Sequence, residues 1–194
     1  NQALNAILFL YQNVLKKPIG KIEGVVRAKR SRRLPVVLTK QEVKAVLFRI
    51  EGTPWIIANL LYGAGLRLLE CLRLRVKDVD FASNQIYVRD GKGQKDRITM
   101  LPTTVKSSLV KHLEQVRQLH QKDIQEGFGH VYLPYALARK YPMADREWGW
   151  QYVFPSTSRY KDASTGTEHR HHLHESVVQR AIKEALRKAG ICKP

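Results

Sequence analysis

Gly63-Ala64-Gly65-Leu66-Arg67-Leu68-Leu69-Glu70 contains a glycine-rich turn that places an arginine, Arg67, at the start of a new predicted helix. A guanidinium group fixed there matches two phosphate oxygens at once, which a lysine ammonium cannot do. Glu70 lies three residues on, on the same helical face, and can hold the guanidinium in place. The alternative interpretation is an ordinary surface pair of Arg67 and Glu70.

A second motif, Gly91-Lys92-Gly93-Gln94-Lys95-Asp96-Arg97, follows between two segments of alternating apolar residues, 85–89 and 97–101. This pattern predicts a β-hairpin with lysines at its tip. Lys92 lies between two glycines, which allow the backbone to approach a ligand closely, so Lys92 could protonate a leaving oxygen. Lysines at hairpin tips are often simply solvated. The order and spacing of the two motifs are therefore better evidence of function than either motif alone.

The charge of the chain indicates a polyanionic partner. Thirty-four lysines and arginines stand against 17 acidic residues, which gives a net charge of +17. Nucleic acid is the favoured partner, and a generally solvated basic surface is the alternative. Two cysteines, Cys71 and Cys192, are too few for a disulfide framework, so a reducing cytoplasm is expected. No apolar stretch reaches the length of a membrane span, so no membrane association is expected.

Three regions follow from the pattern of charge and helical periodicity. Residues 1–24 are interpreted as the last helix of a truncated N-terminal domain, 25–37 as a basic linker, and 38–194 as a second domain. The linker is expected to run along a DNA backbone, with a merely solvated connector as the alternative. Its predicted DNA-binding residues are Arg27, Lys29, Arg30, Arg32 and Arg33.

The second domain is predicted to be mixed α+β and mainly helical, with a small antiparallel sheet. A capping box from Thr39 to Glu42 opens its first helix, and Thr53 is expected to cap a helix that starts at Pro54. A long amphipathic helix follows Pro102, residues 156–172 are expected to form a polar loop, and the last helix covers 175–189.

An aromatic-rich segment, residues 128–155, interrupts this pattern and contains eight aromatic residues. We interpret it as an insertion with its own role. Trp148 and Trp150 flank a single glycine and could form a platform on which an unpaired base stacks. The alternative is a small satellite core, since indole rings are more often buried than ligand-facing.

The run from Leu60 to Pro102 resembles the catalytic domain of tyrosine recombinases, the phage-integrase-like family. The resemblance rests on the arginine after a Gly-x-Gly-Leu turn, the acidic residue three positions later, and the Gly-Lys-Gly hairpin before a strand that ends in Leu-Pro. Within that family, segments 133–142 and 146–155 are similar to an insertion particular to integron integrases. His171-His172-Leu173 and Gln179-Arg180-Ala181 fit the same subfamily.

The resemblance implies site-specific recombination of gene cassettes through a 3′-phosphotyrosyl intermediate, in a bacterial cytoplasm. It assigns the scissile phosphate to Arg67, general acid catalysis to Lys92 and a supporting role to Glu70, with Lys95 as a further DNA contact. No cofactor or metal is implied. The implied partners are double-stranded or folded single-stranded recombination sites and, in the full-length protein, further copies bound to DNA.

The family's remaining groups are a His-x-x-Arg motif, a later histidine or tryptophan, and a tyrosine nucleophile. They would follow Ala189, so the domain is expected to be incomplete at its C-terminus and inactive alone. Gly129-His130 with Tyr132, Tyr135 and Tyr141 superficially matches these motifs but precedes the region where they belong. These three tyrosines are therefore expected to be core or DNA-facing residues.

Two other functions remain open from the sequence, a non-catalytic DNA-binding relative and a generic basic RNA-binding domain. The histidines at 169, 171, 172 and 174 lack a companion set of carboxylates or cysteines. We therefore favour a DNA-facing loop or a helix cap for them over a metal site.

Overall fold

The computed structural model describes residues 2–20, 22, 24–26, 36–91, 93, 95–163 and 165–193. Lys92 and the predicted DNA-binding residues of the linker lie outside this part of the chain. The chain divides into two compact units, residues 1–37 and 38–194. In the first unit, helix α1 spans Gln2–Phe9 and continues as a π-helical turn over Leu10–Val14. The assignment of 1–24 to the end of a preceding domain remains a prediction.

The second unit has a helical body. It consists of α2 (Lys40–Leu47), α3 (Gly52–Ala64), α4 (Leu68–Leu72), α5 (Thr103–Gln125), α6 (Leu137–Lys140) and α7 (Glu175–Lys188). The capping box of α2 is present: the Glu42 backbone N–H donates to the Thr39 hydroxyl at 3.2 Å, and the Thr39 N–H donates to the Glu42 carboxylate at 2.7 Å. The predicted cap of α3 was wrong, because the helix begins at Gly52, and its N-cap, Glu51, makes no side-chain capping bond.

A three-stranded antiparallel sheet packs one of its faces against the helical body, while Ile98 and Met100 of its last strand are exposed. Its order is β1 (Val79–Asp80), β2 (Gln85–Val88) and β3 (Arg97–Met100), and Val88 pairs with Arg97 next to the hairpin turn. Ile86 and Val88 face the core and are almost completely buried. The largest fully buried side chains around them include Phe154, Ile57, Leu60 and Leu72. The predicted fold class, mainly helical α+β with a small antiparallel sheet, is therefore confirmed.

The region predicted to be a polar loop has more structure than its composition indicates. It contains a second, two-stranded sheet of β4 (Tyr160–Lys161) and β5 (Glu168–His169). Arg170 is buried, and both its Nε and its Nη2 donate to the Asp123 carboxylate on α5, at 2.6 and 2.8 Å. A buried charge is stable when it is paired in this way, and the pair attaches the segment to the helical body.

Candidate active site

An open cleft of about 900 Å³ lies where α4, the base of the hairpin and the aromatic insertion meet. Five cationic side chains line it: Arg67, Arg73, Arg75, Lys77 and Arg89. Four carboxylates, Glu70, Asp78, Asp90 and Asp96, also line it. The insertion contributes Pro134, Tyr135, Leu137, Trp150 and Tyr152. The cleft therefore combines guanidinium groups with aromatic faces, two groups that bind nucleic acid.

Arg67 lies at the N-terminal boundary of α4, because Gly65 ends α3 in the left-handed conformation with φ of 65°. Its Nη1 donates to Glu70 Oε1 at 2.6 Å, and its backbone N–H donates to Glu70 Oε2 at 2.9 Å. The Arg67 side chain is 58% exposed, whereas that of Glu70 is only 9% exposed. The carboxylate thus fixes one corner of the guanidinium, and the rest of the group is open to a ligand in the cleft.

Glu70 is shared with a second arginine that the sequence analysis did not identify. Arg97, the first residue of β3, donates from Nη2 to Glu70 Oε2 at 2.6 Å and from Nη1 to Glu70 Oε1 at 3.0 Å. These bonds, together with those from Arg67, lower the pKa of Glu70 from 4.5 to about 2. Arg97 stands in the quoted hairpin motif, but only the strand register reveals that its side chain turns toward α4.

Arg73, Arg75 and Lys77 are further site residues that the sequence analysis missed. A signal for them existed, because they alternate with Leu74 and Val76, and a period of two predicts that cations share one face of an extended segment. In the structure the segment is extended only in part, because Arg73 is the C-cap of α4 and Val76–Asp78 form a 3-10 turn. Arg75 donates to the carbonyl oxygens of Trp150 and Tyr132, at 2.8 and 2.7 Å, and its guanidinium lies 3.6 Å from the Tyr152 ring centroid. Arg75 therefore holds the insertion against the cleft through these contacts.

The base of the lysine hairpin is held by a small network of charges. Arg89 donates from Nε to Asp78 at 2.9 Å, and the Asp90 N–H donates to Asp96 Oδ1 at 3.0 Å. The Tyr135 hydroxyl of the insertion donates to Asp90. Lys95 is exposed on the hairpin, and its carbonyl accepts from the Gly91 N–H at 3.2 Å. These contacts place the hairpin and the insertion on the same cleft.

The two tryptophans of the insertion have different surroundings. Trp148 packs against the main hydrophobic core. Trp150 lines the cleft, and the Lys77 ammonium lies 2.9 Å from its ring centroid. The predicted base-stacking role of either residue remains a prediction, but Trp150 is the one that a ligand in the cleft would meet.

Tyr132, Tyr135 and Tyr141, three of the four tyrosines of the insertion, are exposed, and none of these three lies in the core. Tyr132 stacks on His169, with ring centroids 4.5 Å apart, and donates to Asp162. Tyr135 lines the cleft, and its hydrogen bond to Asp90 raises its pKa. The interpretation that Tyr135 is not the nucleophile remains a prediction.

The histidine-rich segment has structural contacts. His174 precedes α7 as its N-cap, and its Nδ1 accepts from the Ser176 N–H at 3.2 Å. His172 is buried beside Tyr152. Within the described residues, no group of three or more histidine, cysteine, aspartate or glutamate side chains could hold a metal ion. Over the same part of the chain, no helix is long and apolar enough to cross a membrane.

Of the predicted site residues, the structure brings Arg67, Glu70 and Trp150 to one cleft. Trp148 is partly buried and packs against the core, and Lys95 is not among the residues that line the cleft. Lys92 and the linker residues Arg27, Lys29, Arg30, Arg32 and Arg33 are outside the described residues, so their predicted roles stay predictions.

Solved structures with a similar fold define the class. The crystal structure of XerA recombinase matches 98% of this chain and 54% of its own, with 23% identity and a TM-score of 0.52. The XerH site-specific recombinase, in a pre-cleavage complex with its difH substrate, matches 98% of this chain and 48% of its own, with 19% identity and a TM-score of 0.54. The fold is thus that of recombinases.

Sequence comparison gives the family. The profile of the phage integrase family matches residues 36–194, and the chain belongs to that family. An integrase/recombinase of Escherichia coli is 46% identical over 193 residues, which are 100% of this chain and 57% of that protein. Tyrosine recombinase XerA of Thermococcus onnurineus is 43% identical over 84 residues, 42% of this chain and 30% of that protein. The chain therefore spans little more than half the length of the Escherichia coli relative.

Proposed function

We propose that this chain is the phosphate-binding part of a site-specific tyrosine recombinase that integrates and recombines gene cassettes, as integron integrases do. The observation that supports the proposal is the cleft, in which a partly exposed Arg67 is anchored by Glu70 and surrounded by four further cations. DNA is the partner proposed for this cleft, with self-association on DNA in a protein of the relatives' full length.

In this proposal Arg67 binds the non-bridging oxygens of the scissile phosphate and stabilises the charge that develops on them. Lys92 protonates the leaving 5′-oxygen. A tyrosine nucleophile of the recombinase forms the 3′-phosphotyrosyl bond as the 5′-oxygen leaves. The bond energy is conserved in that ester, so the reaction itself requires no ATP.

The integron subtype is supported by the way the insertion contributes to the cleft. Five insertion residues line the same cleft as Arg67, and two other cleft residues, Arg75 and Asp90, form hydrogen bonds with the insertion. An insertion in this place would contact DNA next to the cleaved phosphate. The alternative is a non-catalytic DNA-binding relative, which would use the same cations without the reaction.

Cleavage of a nicked suicide substrate tests the proposal in a recombinase of the relatives' full length that carries this chain. The wild type should form a covalent protein–DNA band, and Arg67→Ala and Lys92→Ala should each slow its formation on the order of 100-fold or more, with DNA occupancy within a few-fold. Lys95→Ala is the matched control and should cleave at nearly the wild-type rate.

Three outcomes would contradict the proposal or part of it. Binding without any covalent band in the wild type would favour the non-catalytic relative. A normal cleavage rate in Arg67→Ala would remove the cleft from the reaction. Normal cleavage in Lys92→Ala with loss in Lys95→Ala would assign the general acid to the other hairpin lysine.

A further inference from the structure

Arg97 occupies the junction of the three elements that form the phosphate-binding side of the cleft. Its guanidinium donates twice to Glu70, and its Nη2 lies 3.5 Å from the carbonyl oxygen of Gly65, in the turn before Arg67. A Cβ atom at Gly91 would lie 3.2 Å from Arg97 Nη1, so the hairpin backbone also rests against this group. Arg97 therefore contacts the turn, the α4 carboxylate and the start of the lysine hairpin.

The side chain of Arg97 does not reach the cleft itself. It is 35% exposed, and it is absent from the residues that line the cleft, whereas Arg67 is among them. Both terminal nitrogens of Arg97 are engaged with Glu70, whereas Arg67 gives Glu70 only one of its side-chain nitrogens. Arg67 therefore faces a ligand in the cleft, whereas Arg97 faces the protein.

The charges of this group explain why two arginines are needed. Arg67, Glu70 and Arg97 together carry a net charge of +1, in which the bidentate pair of Arg97 and Glu70 is neutral. Without Arg97, Glu70 would neutralise Arg67 instead, and the cleft would present a neutral pair to an approaching phosphate. Since Glu70 is only 9% exposed, water would not replace Arg97 effectively as its partner.

We propose that Arg97 is a positioning residue that neutralises the Glu70 carboxylate and holds it in a fixed orientation. The positive charge of Arg67 then stays available to the scissile phosphate. This rests on the proposed function of the cleft. The same contact couples the hairpin to Arg67, because Arg97 is the first residue of the strand that follows the hairpin turn.

The test compares single-turnover cleavage by Arg97→Ala, Glu70→Gln and the double variant in a recombinase of the relatives' full length. Each single change should slow cleavage by about ten- to a hundred-fold, with DNA binding within about three-fold. Because Arg97 acts through Glu70, the double variant should be no slower than the slower single variant. Arg97→Lys keeps the charge without the bidentate geometry and should recover part of the rate.

Two further readouts separate positioning from general support of the fold. In Arg97→Ala the Glu70 pKa should rise from about 2, because the largest contribution that lowers it is the hydrogen bonding from Arg97, and an NMR titration of this carboxyl group measures the change. Lys188→Ala, which breaks the exposed pair of Lys188 and Glu184, is the control for loss of a surface cation and should cleave normally.

The role of Arg97 would be overturned if the rate reduction in the double variant equalled the product of the two single reductions. It would also be overturned if Arg97→Ala cleaved normally while Arg67→Ala was inactive. Either result would leave the proposed function intact. A melting temperature lowered enough to account for the lost rate of Arg97→Ala, without rescue in Arg97→Lys, would also overturn it. Normal cleavage in both Arg67→Ala and Arg97→Ala would instead contradict the proposed function.

Discussion

Glu70 is the residue on which the electrostatics of the site depend. It accepts hydrogen bonds from Arg67 and Arg97, and its folded-state pKa of about 2 lies below the ordinary value of 4.5. A carboxylate with a depressed pKa stabilises the fold fully above its unfolded pKa and loses that contribution as the pH falls through its folded pKa. The stabilisation from Glu70 should therefore be complete above about pH 4.5 and disappear toward pH 2.

We predict that Glu70→Gln lowers the melting temperature of this chain by about 4 to 8 °C at pH 7, the equivalent of roughly 2 kcal/mol. The difference from the wild type should shrink between about pH 4.5 and pH 2. Thermal melts followed by circular dichroism across this range measure it. Glu184→Gln, which removes an exposed carboxylate 2.8 Å from Lys188, is the matched control and should change the melting temperature little.

A melting temperature of Glu70→Gln equal to that of the wild type at pH 7 would mean that the two arginines do not depend on this carboxylate. A difference that persists unchanged at pH 2 would mean that the effect arises from packing and not from charge.

At the scale of elements, the sequence predicted the helices and the hairpin well. Three signals in the sequence are local: the capping box at Thr39, the turn at Gly65 and the alternation around Ile86. In the structure they form the start of α2, the end of α3 and strand β2. The start of α3 was missed because Gly52 and Pro54 both permit a helix start and the true N-cap, Glu51, makes no capping bond. The ion pair of Arg170 with Asp123 joins residues 47 positions apart, which no local pattern reports.

The site itself was only partly predictable for the same reason. Arg67 and Glu70 are three residues apart on one helix, so their contact follows from helical geometry. Arg97 reaches Glu70 only after β3 has paired with β2. The aromatic pattern of the insertion did not distinguish Trp148 from Trp150, because one packs on the core and the other on Lys77, and both partners are distant in sequence.

The insertion leads to a prediction that separates these two tryptophans. Trp150→Ala should weaken binding to a hairpin site with bulged bases by about ten- to a hundred-fold, because stacking on an unpaired base contributes about 1 to 3 kcal/mol. Binding to a fully paired duplex should barely change. Fluorescence anisotropy on both DNAs gives the two affinities, and Trp150→Phe, which keeps an aromatic face, should retain most of the affinity for the bulged site.

Trp148→Phe is the matched control, because it keeps an apolar ring against the core and should bind both DNAs like the wild type. Equal losses on the hairpin and the duplex in Trp150→Ala would exclude base stacking. A loss of affinity for the bulged site in Trp148→Ala, with normal binding by Trp150→Ala, would assign the stacking role to Trp148.

At the scale of the whole molecule, the net charge of +17 and the cleft support the same function. The charge alone favours any polyanion, including RNA, because the attraction of phosphates is independent of sequence. The cleft is more specific than the net charge. An arginine that is anchored by a carboxylate and open on its other edges is suited to binding one phosphate in a fixed position. We therefore expect Arg67 to stabilise the negative charge of the scissile phosphate.

Cleavage of a substrate with a methylphosphonate at the scissile position tests this claim most directly. The methyl group replaces a non-bridging oxygen and removes the negative charge that Arg67 is proposed to offset. In a recombinase of the relatives' full length, Arg67→Ala should slow cleavage on the order of 100-fold or more on the phosphate and less than about ten-fold on the methylphosphonate. The same loss on both substrates would show that Arg67 does not act on the charge of the phosphate and would contradict the account.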